Sequence, residues 1–454
     1  MKLRTLIFWL HLTAGVVAGS VILMMSVTGV LLAFERQIVA ATERSLRTVQ
    51  PPASDAPRLG LDAAVARARQ AVPDGMPTSV TLHADPTATI AVAFESERLV
   101  FVNPYTGAVQ GEGATRLRRT FHALTDWHRW LGMHGEGRAT GRMITGVCNA
   151  AFVVLIVTGL YLWWPRRWRL SAFRAVTQPS LRLRGRARDW NWHNTVGFWS
   201  APALLVIALT GLVMSYQWAS NLLYTLTGSE PPTPQRRLPT MARGSGPAEL
   251  TPGSIVTAHD GGTGDQGRVE AGSPGRPHGR SDDDSEPRSA ELSPGLGVLF
   301  NLAAQYAPQW RRITLRLPPR GTPHVTMMIE EAATRHPYPR SILTLDAATA
   351  AVVKWEPYAG QNLGRTLRLW VRPVHTGEAG GPIGQTIAAL ASAGGAVLVW
   401  TGLALAWGRL VGRLRRGRAI AVGAPTGAHA PSTTLPHNAG AGTCGLAGDG
   451  QRRR

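Results

Sequence analysis

The stretch WNWHNTVGFWSAPALLVIALTGLVMSYQW, residues 190–218, decides the fold of this chain. It contains no acidic or basic residue, and about 20 consecutive apolar residues suffice to cross the hydrocarbon core of a bilayer. Three further charge-free windows are long enough to do the same, at residues 5–34, 143–165 and 379–408. We therefore predict a membrane protein with an all-α bundle of four transmembrane helices, at residues 5–34, 143–165, 193–218 and 380–408.

The basic residues predict how these helices are oriented. The segment 166–189 holds eight Arg and one acidic residue, and five Arg lie between positions 409 and 418. Short cytoplasmic loops are enriched in Lys and Arg, so both of these segments and both termini are expected in the cytoplasm. We predict that residues 409–454 form a disordered cytoplasmic tail. The same rule accounts for the formal charge of +20, which therefore does not indicate nucleic-acid binding.

The two long loops on the other side each predict a small α+β module. The first, residues 45–115, shows a helical pattern at 61–71 and strand patterns at 79–82, 89–94 and 99–102. The second, residues 294–360, shows a helix at 299–306 and strands at 312–317, 324–329 and 341–345. In each module the third strand runs into a similar turn. Asn103 and Thr106 of the first turn match Asp346 and Thr349 of the second, and this match indicates a duplicated unit. The intervening residues 228–293 are rich in Gly, Pro and Ser and are predicted to be a disordered linker.

Histidines at the ends of the predicted spans carry the most specific signal. The first and third spans share one spacing, in which His11 or His193 is followed by a glycine after four residues and by Thr-Gly after seventeen. Because both spans run outward, both histidines are expected near the cytoplasmic face. His375 precedes the fourth span, and His128 and His134 precede the second, so these are expected near the outer face. The sequence therefore predicts one histidine pair at each side of the bundle.

Paired histidines on facing helices are what a bis-imidazole haem requires. Zinc and copper also use histidine, but no Cys, Met or carboxylate cluster lies near these positions to complete such a site. With only two Cys in the chain, a cysteine-ligated cluster is excluded. We therefore predict two b-type haems, with His11 and His193 on the inner iron and His375 with His128 or His134 on the outer one. Gly15 and Gly197 are interpreted as space for the macrocycle, and the Thr-Gly pairs as helix-packing features.

Short motifs around these histidines resemble the PepSY-associated transmembrane family, also called iron-regulated membrane proteins. The motifs are WHRWLG at 127–132, TGLYLWWPR at 158–166, WHNTVG at 192–197, and VHTG at 374–377 followed by Thr401-Gly402. The turn NPYTG at 103–107 resembles the end of a PepSY module. The resemblance implies a protein of the bacterial inner membrane with two periplasmic PepSY-like modules.

The resemblance implies two different functions. Some relatives are di-haem ferric-siderophore reductases, which predicts electron transfer from a separate cytoplasmic donor to a periplasmic ferric chelate. Isolated PepSY modules are associated with peptidase regulation, so the alternative is a non-enzymatic sensor or regulator that binds a periplasmic peptide or protease. The paired histidines favour the first function. Partners for haem propionates or for an anionic chelate are expected among five arginines near the outer face: Arg129, Arg138, Arg142, Arg368 and Arg372.

Overall fold

The chain folds as two halves with the same order of elements. The structure, a computed structural model, describes residues 3–53, 56–164, 170–231, 295–318, 322–332, 336 and 338–422. The elements of the first half are α1 (Leu3–Leu32), α2 (Glu35–Thr42), α3 (Arg44–Arg47), α4 (Leu61–Ala71), β1 (Pro77–His83), β2 (Ile90–Phe94), β3 (Leu99–Val102), β4 (Val109–Glu112), α5 (Thr115–Trp130) and α6 (Gly137–Trp163). Those of the second half are α7 (Leu170–Thr177), α8 (Gly185–Ser215), α9 (Gln217–Leu226), α10 (Leu296–Tyr306), β5 (Trp310–Arg316), β6 (His324–Glu331), β7 (Arg340–Asp346), β8 (Val352–Glu356), α11 (Leu363–His375) and α12 (Gly381–Val422).

Four helices in the described ranges, α1, α6, α8 and α12, are long and apolar enough to cross a membrane. This confirms the four predicted spans, although the bounds differ. Helix α8 begins at Gly185, two turns before the predicted start at 193, and the amphipathic helices α5 and α11 lead into α6 and α12. The predicted disordered tail 409–454 is wrong in its first part, because α12 continues to Val422. Residues 423–454, residues 232–293 of the predicted linker, and residue 294 at the start of the second predicted module lie outside the described residues.

The eight strands form one antiparallel sheet, in the order β4-β3-β2-β1-β5-β6-β7-β8. Each half contributes a four-stranded meander, and the two meanders join where β1 pairs with β5. At the centre of this joint Thr81 lies opposite Thr314, with their hydroxyl oxygens 3.0 Å apart. The sequence predicted two separate α+β modules, whereas the structure merges their strands into a continuous sheet.

One face of the sheet holds its core. In β2 the side chains of Ile90, Val92 and Phe94 are fully buried and alternate with partly exposed alanines, as a half-covered strand requires. Helices α4 and α10 cover this face; α4 contributes Ala64 and Ala68, which lie one turn apart and are fully buried. Burial of this apolar surface is the main stabilising contribution of the sheet region.

The turns after β3 and β7 are built alike. The side-chain oxygen Oδ1 of Asn103 accepts hydrogen bonds from the backbone N–H groups of Tyr105 and Thr106. Oδ1 of Asp346 accepts in the same way from Ala348 and Thr349. The predicted match between Asn103 and Asp346 therefore has a structural basis, since each closes the loop before its short edge strand.

Close backbone contacts fix the junctions between α5 and α6 and between α11 and α12. A Cβ on Gly141 of α6 would lie 2.2 Å from the carbonyl oxygen of Trp130, at the end of α5. At the second junction a Cβ on Gly384 would lie 2.3 Å from the carbonyl oxygen of Gly377. Only glycine allows this approach. Residues 1–406 form one compact unit; the second unit, 407–454, is described only for the helical turns that end at Val422.

Candidate functional site

The first histidine pair joins α1 and α8. The ring centroids of His11 and His193 are 6.5 Å apart, and their ring planes are nearly perpendicular at 88°. Nδ1 of His11 lies 2.8 Å from Oγ1 of Thr158 on α6, and Nδ1 of His193 lies 2.9 Å from Oγ1 of Thr401 on α12. All four long apolar helices therefore contribute to this pair, which we call the inner pair after the face at which the sequence predicts it.

The second pair joins the lead-in helices. His128, near the end of α5, and His375, the last residue of α11, have ring centroids 6.4 Å apart and planes at 72°. Nδ1 of His128 lies 2.9 Å from Oγ1 of Thr28, and Nδ1 of His375 lies 3.1 Å from Oγ1 of Thr210. This outer pair thus repeats the geometry of the inner pair with a different set of four residues.

The threonines determine which imidazole nitrogen carries the proton. Every one of them donates its hydroxyl hydrogen to the carbonyl oxygen four residues earlier on its own helix, at 2.6–2.8 Å. A hydroxyl has one hydrogen, so its oxygen is left to accept a hydrogen bond from the histidine. With the hydroxyls donating to the helix carbonyls, Nδ1 carries the proton and the lone pair is on Nε2. At His375, Nδ1 also lies 2.9 Å from the carbonyl oxygen of Ile207, which can only accept. This is the arrangement in which a second-shell group orients a metal-binding imidazole.

The glycine after each threonine makes room for the imidazole ring. A Cβ on Gly159 or Gly402 would lie 3.3 or 3.4 Å from Cε1 of His11 or His193. On Gly29 or Gly211 it would lie 3.5 Å from Cε1 of the outer histidines. The Thr-Gly pairs, interpreted from the sequence as helix-packing features, are therefore contact residues of the four histidines. Gly15 and Gly197, interpreted from the sequence as space for the macrocycle, face the side chains of Leu155 and Leu398.

The two pairs lie at opposite ends of the bundle. His11 and Thr28, the partner of His128, are seventeen residues apart on α1, a rise of about 25 Å. The same spacing separates His193 from Thr210 on α8. The hydrocarbon core of a bilayer is about 30 Å thick, so the distance between the two pairs is most of that thickness.

The separation within each pair fits a single metal ion. An imidazole nitrogen binds a metal at about 2.0 Å, and ring bonds of about 1.35 Å put that nitrogen about 1.1 Å from the centroid. Two imidazoles on opposite sides of one ion thus have centroids about 6.2 Å apart, close to the 6.5 and 6.4 Å of the two pairs. Within the described ranges no group of three or more His, Cys, Asp or Glu is arranged to hold a metal.

His134, the second candidate for the outer site, does not join the pair. Its Nε2 lies 3.3 Å from Oδ2 of Asp126, and 73% of its side chain is exposed. Asp126 is itself buried and has Arg138 and His122 as further neighbours, at 3.9 and 3.6 Å. The structure thus places His128, and not His134, beside His375.

The five arginines predicted to pair with anions lie in different settings. Arg129 and Arg138 both contact the face of Trp130, with guanidinium carbons 4.5 and 4.4 Å from a ring centroid. Arg368 donates a hydrogen bond to Oγ of Ser220 at 3.2 Å. Burial lowers the pKa of Arg129 to about 10, and the nearby cations Arg142 and Arg372 add to the effect. These three arginines therefore share one electrostatic neighbourhood at the outer pair.

Comparison with known proteins identifies the family of this chain. The family model for the PepSY-associated TM region matches residues 8–409, a range that runs from within α1 to within α12 and includes the sheet and both histidine pairs. No curated protein matches the chain. The match extends over most of the sequence and includes every element that positions the histidines. The chain therefore belongs to the PepSY-associated TM family, a group of multi-pass membrane proteins.

Proposed function

We propose that each histidine pair binds one haem b, and that the protein transfers electrons across the membrane. The observation that carries this proposal is the repeated set of His–Thr contacts, which leaves four Nε2 lone pairs in two pairs at metal-spanning separation. His11 and His193 would hold the inner iron, and His128 and His375 the outer one. Haem supplies reversible one-electron chemistry when bound. The protein's contribution is to orient the imidazoles and to exclude water from the apolar interior between the sites.

Family membership suggests an iron-regulated membrane protein, which supports a ferric substrate. We place both termini in the cytoplasm and the sheet in the periplasm of a bacterial inner membrane, with a separate cytoplasmic protein as the electron donor. A ferric chelate, such as a ferric siderophore, would receive the electron at the periplasmic side. In this orientation the inner pair is the entry site and the outer pair is the exit site.

Absorbance spectra of the purified protein test haem binding directly. We expect a low-spin b-type spectrum and two haems per chain. His193→Ala should lose the inner haem alone, and His375→Ala the outer one alone. His134→Ala is the matched control, since His134 contacts Asp126 and should leave both haems in place. Protein without haem from haem-replete cells, or loss of both haems in a single variant, would contradict the two-site proposal.

A vesicle experiment tests the transfer itself. The protein is reconstituted in proteoliposomes with a reductant trapped on the side of the inner pair, and a ferric siderophore is added to the other side. Ferrous iron captured by a chelator should appear with the wild-type protein and fail to appear with His193→Ala, although the outer site is intact. If His193→Ala matched the wild type, the inner pair would not be on the path. If the wild type reduced no ferric chelate, a sensor that binds a periplasmic peptide would be favoured instead.

A further inference from the structure

The chain between α6 and α8 is held against the first half of α8 by polar contacts. Nε1 of Trp199 donates to the carbonyl oxygen of Thr177, the last residue of α7, at 2.9 Å. The side-chain amide of Asn191 accepts a hydrogen bond from the backbone N–H of Ser180 and donates one to the carbonyl oxygen of Gln178, at 2.8 and 3.1 Å. Residues 177–180 therefore stay beside α8.

The start of α8 lies at the level of the lipid headgroups. Its 31 residues rise about 46 Å, and a bilayer with its headgroup regions is about 40–45 Å thick, so a helix of this length reaches both surfaces. Trp190 and Trp199 lie in the first half of α8, with 48% and 69% of their surface exposed. Tryptophan is enriched at the interface between the hydrocarbon core and water. The segment that directly precedes α8 is therefore at the membrane surface.

Three arginines in this segment are not offset by a carboxylate. Asp189, the one acidic residue between positions 166 and 189, pairs with Arg188 at 2.9 Å. Eight consecutive residues, 181–188, are exposed, and they include three arginines that form no ion pair within the described part of the chain: Arg182, Arg184 and Arg186. Their positive charge therefore calls for an anion from outside the chain.

Leucines alternate with these arginines in the sequence. Leu181 and Leu183 are 86% and 38% exposed. At a bilayer surface, apolar side chains enter the boundary of the acyl chains, while the guanidinium groups of neighbouring arginines stay at the level of the phosphates. Arginine is also suited to bind phosphate oxygens in pairs. A lipid headgroup with its acyl chains fits both the leucines and the arginines, whereas an acidic protein surface would account only for the arginines.

We infer that Arg182, Arg184 and Arg186 bind the phosphate groups of anionic phospholipids, with Leu181 and Leu183 in the acyl-chain boundary. Attraction to a negatively charged membrane surface strengthens binding about fivefold for each arginine that lies near it. Phosphatidylcholine has no net charge and lacks this gain, so the segment should prefer phosphatidylglycerol. Neither haem nor electron transfer is needed for this binding.

Native mass spectrometry of the full-length protein in detergent tests the preference. The protein is titrated with phosphatidylglycerol or with phosphatidylcholine of the same acyl chains, and the apparent Kd of each lipid is measured. The wild type should bind phosphatidylglycerol more tightly, and Arg184→Gln should weaken that binding about fivefold. The triple variant Arg182→Gln/Arg184→Gln/Arg186→Gln should lose most of the preference, and Arg184→Lys, which keeps the charge, should retain it.

A second triple variant controls for the loss of charge. Arg44→Gln/Arg67→Gln/Arg116→Gln removes the same charge at exposed positions outside the segment and should keep the wild-type preference. All six positions are exposed, so the melting temperatures of both triple variants should match the wild type. A preference that persists in the first triple variant would refute the inference. Equal affinity of the wild type for the two lipids would also refute it, and would favour an acidic protein as the partner of these arginines.

Discussion

At the scale of single residues, the hydrogen bond between each histidine and its threonine can be tested directly by substitution of the threonine. Thr401→Val removes the acceptor for Nδ1–H of His193 and keeps the shape of the side chain. Loss of a second-shell partner costs about 10–100-fold in metal affinity. We expect the inner haem to leave about 10–100 times faster, measured by transfer to an excess of a haem-free acceptor protein. Thr401→Ser, which keeps the hydroxyl, should behave like the wild type.

Thr386 on the same helix provides the matched control for this experiment. It is exposed, and its hydroxyl donates to Pro382 at 2.8 Å, as Thr401 donates to Val397, but no imidazole lies against it. Thr386→Val should leave haem loss unchanged. Equal rates for Thr401→Val and the wild type would mean that the hydroxyl does not orient His193.

At the scale of elements, the junction between α11 and α12 positions the outer site. A Cβ on Gly384 would overlap the carbonyl oxygen of Gly377, two residues after His375, and overpacking of this kind costs about 1–3 kcal/mol. We expect Gly384→Ala to lower the melting temperature and the outer haem content, with the inner haem retained. Gly380→Ala is the control, since nothing lies within 4 Å of a Cβ at that position. Identical spectra for the two variants would show that the close contact does not position His375.

Some of these elements could be predicted from the sequence and others could not. The four spans follow from local hydropathy, and the equal spacing of His11–Thr28 and His193–Thr210 is visible without a structure. The strands β4 and β8 were missed because they are short, lie at the sheet edges and are mostly exposed, so no alternation marks them. The pairing of β1 with β5 depends on residues such as Thr81 and Thr314, which lie far apart in the chain. The His–Thr contacts were missed because a span read alone does not reveal which face of a neighbouring helix it meets.

At the scale of the whole molecule, orientation in the membrane is the property to measure. Reporter domains that are active only outside the cytoplasm can be fused after Ser180, between α7 and α8, and after Pro294, before α10. The arginines of the segment 166–189 predict that the fusion at Ser180 is inactive and the fusion at Pro294 is active. The reverse pattern would exchange the entry and exit sites, and with them the direction of electron flow.

Neither half of the chain contains a complete histidine pair. Each histidine and its threonine belong to the same half, but both imidazole pairs take one ring from each half. The two proposed haem sites therefore lie where the two halves of the chain meet, with one histidine from each half. Cutting the chain between Arg166 and Arg167 would leave each fragment with two oriented imidazoles and no complete site. Co-expressed fragments should rejoin along β1 and β5 and recover both haems, while either fragment alone should stay colourless.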